Sequence, residues 1–234
     1  MSICVYLRNI KLFHVKHVLL IIFLLPLFSS AQHMGTTVIE LKALPKFPGT
    51  DVKVEAFLKS TKDYQTLTKE QQEWFYWTNY SRKDPQRFWD SVVAPILQVY
   101  PHFRNSYSVS LQKDLYASPT LPLVAPNSQL EKIASDHADA LARKKSPPSH
   151  TSPNGDSFQT RMGKIKKCAG ENISLGPSSP VLALVLLYLD QGVPDVGHRK
   201  TLLSPGFTEM GIGISSYPND KVMVVQDFAC SQTL

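Results

Sequence analysis

The nine residues from Val181 to Leu189, VLALVLLYL, constrain the fold of this chain more than any other stretch. Ser179-Pro180 precedes them, and Gly192 and Pro194 follow. These are helix start and stop signals, so the run predicts a helix rather than a strand. A helix that is apolar on every side belongs between layers. On the surface it would forgo roughly 1.5–3 kcal/mol for each large side chain left in water.

The rest of the chain supplies elements to cover it. FTEMGIGISSY and KVMVVQDFAC flank Pro218-Asn219-Asp220 and predict an antiparallel hairpin, with a further short strand near Gly170–Ser174. Ser128-x-x-Glu131 has the capping-box pattern, and Leu130, Ile133, Ala134, His137, Ala138 and Leu141 follow on one stripe. That spacing predicts a helix over Gln129–Lys144 with His137 on its apolar face, where a histidine is expected to be a hydrogen-bonded core residue. Thr68-x-x-Gln71 caps a predicted helix from Lys69 to about Arg82. Asp84-Pro85 opens another, PQRFWDSVV, which Pro95 should bend or end. Residues 101–126 carry four prolines and read as a long connection. Residues 32–65 read as an arm, with one short strand at Thr37–Leu41. This order predicts an α+β domain over 66–234 rather than an alternating parallel sheet.

The N-terminus sets the compartment. Arg8, Lys11 and Lys16 precede an apolar block of 11 residues, Val18–Phe28, and Ser29-Ser30-Ala31 follows it. Charged start, apolar middle and small-residue end describe a secretory signal peptide over 1–31. The block is well short of the roughly 20 residues needed to span a bilayer, so no stable membrane span is expected after cleavage. Losing three positive charges and no acidic residue lowers the formal charge from +6 to +3, too mild to suggest nucleic acid. The short runs Arg143-Lys144-Lys145 and Lys164, Lys166, Lys167 read as solvated faces. Cys4 leaves with the signal. Cys168 and Cys230 remain, and an even count in an exported protein suggests one disulfide, with two free thiols as the alternative.

Four polar residues flank the core elements. His150 follows the 129–144 helix in the turn-rich SPPSHTSPNG, and Glu171 enters the short strand. Asp190 ends the apolar helix, and His198 begins the connection to the hairpin. A carboxylate at a helix C-terminus faces the negative end of the dipole, at about 0.3–1 kcal/mol, and Asp190 therefore needs a cation nearby. His198, Arg199 or a metal ion would serve, and a plain Asp190–Arg199 ion pair is the simplest reading. Two imidazoles and two carboxylates suit a divalent ion such as zinc, or a metal-free polar pocket. Ser149 and Ser152, beside His150, read as turn residues.

SHTSPNG (149–155), GENI (170–173), GHRKTLLSPGF (197–207) and MGIG (210–213) together resemble the CAP superfamily of cysteine-rich secretory, antigen five and pathogenesis-related proteins. The DQGVPDVGHR element at 190–199 and the terminal VVQDFA are similar to its exported bacterial branch. The resemblance covers about residues 66–234. It implies a three-layer α-β-α sandwich with a central antiparallel sheet, and a cleft bearing two histidines and two acids. His150, Glu171 and His198 match that pattern. The second acid is a glutamate in many members, and Asp190 stands in the corresponding place. Its shorter reach weakens the expectation of a bound metal. The resemblance implies a secreted (extracellular or periplasmic) binding module for a small-molecule, lipid or protein partner, with zinc or another divalent cation as candidate cofactor. The alternatives are a hydrolase using His150, Glu171 and His198, and a structural extracellular protein.

Overall fold

The computed structural model describes residues 39–163, 165 and 168–231. The expected signal peptide at 1–31 and the lysine cluster at 164, 166 and 167 lie outside them.

The apolar run forms helix α8, Pro180–Leu189, in a chain order that places α1 at Val52–Ser60, α2 at Lys69–Lys83, α3 at Pro85–Phe88, α4 at Ala94–Val99, α5 at Ser106–Ala117, α6 at Ser128–Arg143, α7 at Phe158–Arg161 and α9 at Gly197–Leu202. The Ser179 hydroxyl caps α8, Pro180 occupies its first turn, and all but Leu186 of its residues are buried. Strands β1 (Ala125–Pro126), β2 (Ala169–Gly176), β3 (Glu209–Tyr217) and β4 (Lys221–Ala229) form one sheet in the order β1-β3-β4-β2. The three long strands are antiparallel, and the two-residue β1 joins β3 in parallel. Asn219 and Asp220 close the hairpin with φ of 62° and 54°, a conformation Asn and Asp tolerate better than other side chains.

Strand periodicity sends alternate side chains to opposite faces. Met210, Ile212, Val224 and Phe228 face the main core, which holds Trp74 and Phe75 of α2 and Leu182, Leu184 and Tyr188 of α8. Ile173, Met223 and Val225 face the other way, against Ala134, Ala138 and Leu141 of α6. The sheet is therefore the middle layer of an α-β-α sandwich. On the α6 side, a Cβ at Gly211 would collide with the Leu130 carbonyl and Glu131 nitrogen, and one at Gly213 with the Ala134 carbonyl. The two glycines of MGIG are what let the helix backbone lie on the strand.

Several expectations are corrected. Residues 101–126 contain the 12-residue α5, capped by Asn105 and burying Leu111 and Leu115. The expected arm carries α1, whose N-cap Asp51 pairs with Lys83 of α2 at 2.6 Å while Val54 and Leu58 enter the core. Residues 39–41 form no strand, and 37–38 lie outside the described residues. Pro95 does not end its helix. A π turn over Trp89–Val93 joins α3 to α4, and the wider turn gives the proline ring room against the carbonyl four residues back. The cap of α6 is Asn127, not Ser128: its Oδ1 accepts from the Gln129 and Leu130 amides. Among the described residues no helix is long and apolar enough to cross a membrane.

Candidate functional site

Edge strand β2 carries the first histidine–acid pair. Its odd residues face α6, so Glu171 points into that layer, 7% exposed. Three cationic or potentially cationic groups surround the carboxylate. His150 Nδ1 lies 2.6 Å from Oε1, Arg161 Nη2 2.5 Å from Oε2, and His137 Nε2 4.0 Å from Oε2. Burial raises the Glu171 carboxyl, but the His150 hydrogen bond and the Arg161 charge together outweigh it and hold the group below its ordinary 4.5. Arg161 also donates through Nη1 to the His150 carbonyl at 2.9 Å and the Ser152 hydroxyl at 3.1 Å, which pins the SHTSPNG loop over the strand.

The second pair forms where α8 turns into α9. Asp190 adopts the left-handed conformation, φ 54°, and reverses the chain. Its carboxylate thereby leaves the C-terminus of α8 and meets the first turn of α9. Oδ2 accepts from the His198 amide at 2.9 Å, and Oδ1 lies 2.6 Å from His198 Nδ1. The unfavourable dipole expected of Asp190 is resolved by moving the charge to a helix N-terminus. The Asp190–Arg199 ion pair does not form. The Arg199 guanidinium instead satisfies the Tyr188 and Leu189 carbonyls ending α8, and pairs with Asp114 of α5 at 2.9 Å. Val196, at φ 45°, caps α9 in a conformation that β-branched residues rarely adopt.

The two pairs meet through neighbouring residues of β2. Asn172, next to Glu171 but on the opposite face, is fully buried and donates to the His198 carbonyl at 3.4 Å. In both pairs Nδ1 faces a carboxylate, and among the described residues Nε2 carries no hydrogen bond. The side chains of His150 and His198 are 30% and 19% exposed, so both rings are partly open to solvent. Among the described residues no three His, Cys, Asp or Glu side chains are arranged to hold a metal ion. The two carboxylates address Nδ1–H groups, so the donors left for a cation are two imidazole nitrogens.

Sequence reasoning missed Asp227. It stands opposite Glu171 in the β2–β4 register, is fully buried, and neither carboxyl oxygen accepts a hydrogen bond. Burial and the Glu171 charge push its carboxyl well above the ordinary range against the pull of Arg161. A raised carboxyl facing Glu171 across the ladder is suited to donate its proton to that neighbour. An Asp on the inward face of KVMVVQDFA was the available signal.

His137 is the buried, hydrogen-bonded residue its helix position predicts, with Ser149 O on Nε2 at 2.8 Å and Ser152 Oγ on Nδ1 at 2.9 Å. Burial lowers it below its ordinary 6.5, with the Glu171 charge opposing. Cys168 and Cys230 form the disulfide, with Cα atoms 5.5 Å apart.

Fold and site together define a three-layer sandwich with two histidine–acid pairs at one sheet edge. Residues 78–228 match the family described as CAP, the cysteine-rich secretory protein family, and the chain belongs to it. An extracellular SCP-domain protein from Bacillus anthracis is similar at 31% identity, over 47% of this chain and 35% of that one, with a TM-score of 0.40. This chain thus spans about a third of the length of that protein. An outer surface protein from Borrelia burgdorferi is similar at 21% identity, over 54% of this chain and 90% of that one, with a TM-score of 0.39. Venom allergen-like protein 4 of Schistosoma mansoni follows at 15% identity, over 71% and 92%, with a TM-score of 0.42. No curated protein sequence matches.

Proposed function

We propose that this is an exported CAP-domain binding module. Its His150 and His198 Nε2 atoms offer a two-nitrogen site to a divalent cation such as zinc, and a small-molecule or lipid ligand completes the coordination. The observation that carries this reading is the orientation of the two rings. Each histidine turns Nδ1 to a carboxylate, and among the described residues nothing bonds to Nε2. Metal-binding histidines take this arrangement because the carboxylate fixes the tautomer and raises ligand basicity. Zinc accepts neutral imidazole nitrogen, and with two protein nitrogens it would need further ligands from water or a bound molecule. When bound, the ion would supply an electrophilic centre for a ligand oxygen. Glu171 and Asp190 hold the two rings, Arg161 holds Glu171, and Asn172 holds the His198 backbone.

Calorimetric titration of the mature protein with zinc at neutral pH tests this. Saturable uptake is expected, abolished by His198→Ala. Glu171→Gln should weaken it about 10–100-fold by releasing His150 from its fixed orientation. No uptake by the wild type would remove the cation. Substitutions that lower Tm while leaving uptake intact would make the pairs structural. Export rests on residues 1–31. N-terminal sequencing of the protein recovered outside the cytoplasm should begin at Gln32.

A further inference from the structure

A second site lies on the α6 side of the His150 loop. A cavity of about 680 Å³ opens between α6 and residues 152–156, within the roughly 300–1,000 Å³ range of small-molecule pockets. Ile133, Ala140 and Pro153 give it apolar wall, and Arg143 and Lys144 stand at the C-terminal end of α6. His137, Ser152 and Arg161 also line it, and the first two of these are buried residues at its floor.

The floor has a specific chemistry. His137 Nε2 is 2.8 Å from the Ser149 carbonyl, which can only accept, so the proton of the neutral ring sits on Nε2. Nδ1 is then a lone pair, and the Ser152 hydroxyl 2.9 Å away donates to it. This is the hydrogen-bond relation of a nucleophile to its general base, with the base oriented by a third group. The turn does not require the hydroxyl. Ser152 N donates to the Asp156 carbonyl and Gly155 N to the Ser152 carbonyl, both at 2.8 Å, and these bonds close it. Arg161 Nη1, 3.1 Å from Ser152 Oγ, places a fixed positive charge beside the oxygen.

We propose that Ser152 and His137 form a nucleophile–base pair that hydrolyses small acyl esters held in this cavity. Ser152 Oγ attacks the ester carbonyl carbon and forms a new C–O bond while its proton passes to His137 Nδ1. The bond from that carbon to the alkoxy oxygen breaks, and the same proton leaves with the alcohol. Water then attacks the acyl-serine and gives its proton to His137. Ser152 is released with that proton, and the carboxylic acid departs. Water is the one co-reactant, and ester plus water yields acid plus alcohol. His150 and His198 take no part. Arg161 links the two sites, since one guanidinium touches both Glu171 and Ser152.

A single arginine faces the hydroxyl in place of a pair of oxyanion donors. Loss of one such donor costs about 10²–10³ in rate, so activated esters are the substrates to test. The mature, disulfide-bonded protein is incubated with a fluorophosphonate probe and, separately, with p-nitrophenyl acetate. The expected result is one covalent adduct, mapped by mass spectrometry to Ser152, together with ester turnover. His137→Gln, which keeps a hydrogen-bonding side chain but removes the base, should slow labelling about 100-fold or more. Ser152→Ala should abolish both labelling and turnover while the protein stays folded, with Tm lowered by the two side-chain hydrogen bonds it loses. Absence of an adduct on Ser152 in the wild type overturns the proposal, and so does wild-type turnover by folded Ser152→Ala. Should the variants fail to fold, the site of the adduct in the wild type decides alone.

Discussion

Glu171 and Asp227 face each other across β2 and β4 beneath α6, yet only Glu171 forms ion pairs with its cationic neighbours among the described residues. Arg161 and His150 hold the Glu171 carboxyl below its ordinary value, whereas burial and the Glu171 charge push that of Asp227 up. Their effects on stability run in opposite directions with pH. The folded value of Glu171 is lowered, so its contribution is present above the unfolded value near 4.5 and is lost as pH falls through the folded value. The folded value of Asp227 is raised, so the unfolded chain releases that proton first, and stability declines as pH rises from about 3.8 towards the folded value. Asp227→Asn keeps the shape and a donor towards Glu171 and has no proton to lose. It should therefore raise Tm at pH 7 relative to the wild type, with the gain shrinking as pH approaches 4. Asp227→Ala removes the donor as well and should lower Tm at both pH values. Thermal unfolding of the three proteins across that range checks the assignment. A pH-independent difference between Asp227→Asn and wild type would mean that folding does not raise the Asp227 carboxyl.

α6 and β3 are locked together by absence of side chain rather than by interdigitation. A methyl group at Gly213 would meet helix backbone, which cannot swing aside as a flexible side-chain tip can. Overpacking a core costs about 1–3 kcal/mol where neighbours can shift. Gly213→Ala is expected at or above the upper end of that range in denaturant unfolding, and Gly211→Ala likewise. A loss under about 0.5 kcal/mol for either, the range of an ordinary surface change, would show that the helix stands off the strand. Elements of this kind mark how far the sequence could be read. α8, α6, α2 and the β3–β4 hairpin were legible because each has an apolar run, stripe or alternation or a clear cap, with end signals beside it. α5 was not, since SYSVSLQKDLYA buries only Ser108, Leu111 and Leu115 and sits between proline-rich stretches. α1 was hidden in the same way, with two buried anchors in nine residues. In the site, His150, Glu171, Asp190 and His198 could be singled out as polar residues beside core elements. Which partner each takes could not, because a single left-handed residue, Asp190, moves its carboxylate from one helix end to the next. The contact of His137 with Ser152 was equally hidden, since it spans 15 residues and is made by a core histidine and a turn serine, two types with ordinary readings of their own.

Across the whole molecule, one covalent link closes the edge that carries the site. Cys168 precedes β2 and Cys230 follows β4, 62 residues apart in sequence, and the Cys230 amide donates to the Cys168 carbonyl at 3.1 Å. Glu171 and Asp227 each lie three residues inside that link, on the same pair of strands. In the chain-entropy account a bridge closing a loop of this length stabilises the fold by about 4 kcal/mol, chiefly by restricting the unfolded chain. Such a bridge persists in an oxidising compartment, which agrees with the export proposed for residues 1–31. The β2–β4 ladder runs from Ala169↔Ala229 to Gly176↔Val222 and does not depend on the bridge for its register. Reduction, or the paired change Cys168→Ser with Cys230→Ser, should therefore lower unfolding free energy by about 4 kcal/mol. Zinc uptake should remain unchanged at temperatures where the reduced protein stays folded. Denaturant unfolding beside calorimetry on both forms separates the two effects. If uptake fails while the fold persists, the link positions Glu171 directly, and the bridge belongs to the site rather than only to the fold.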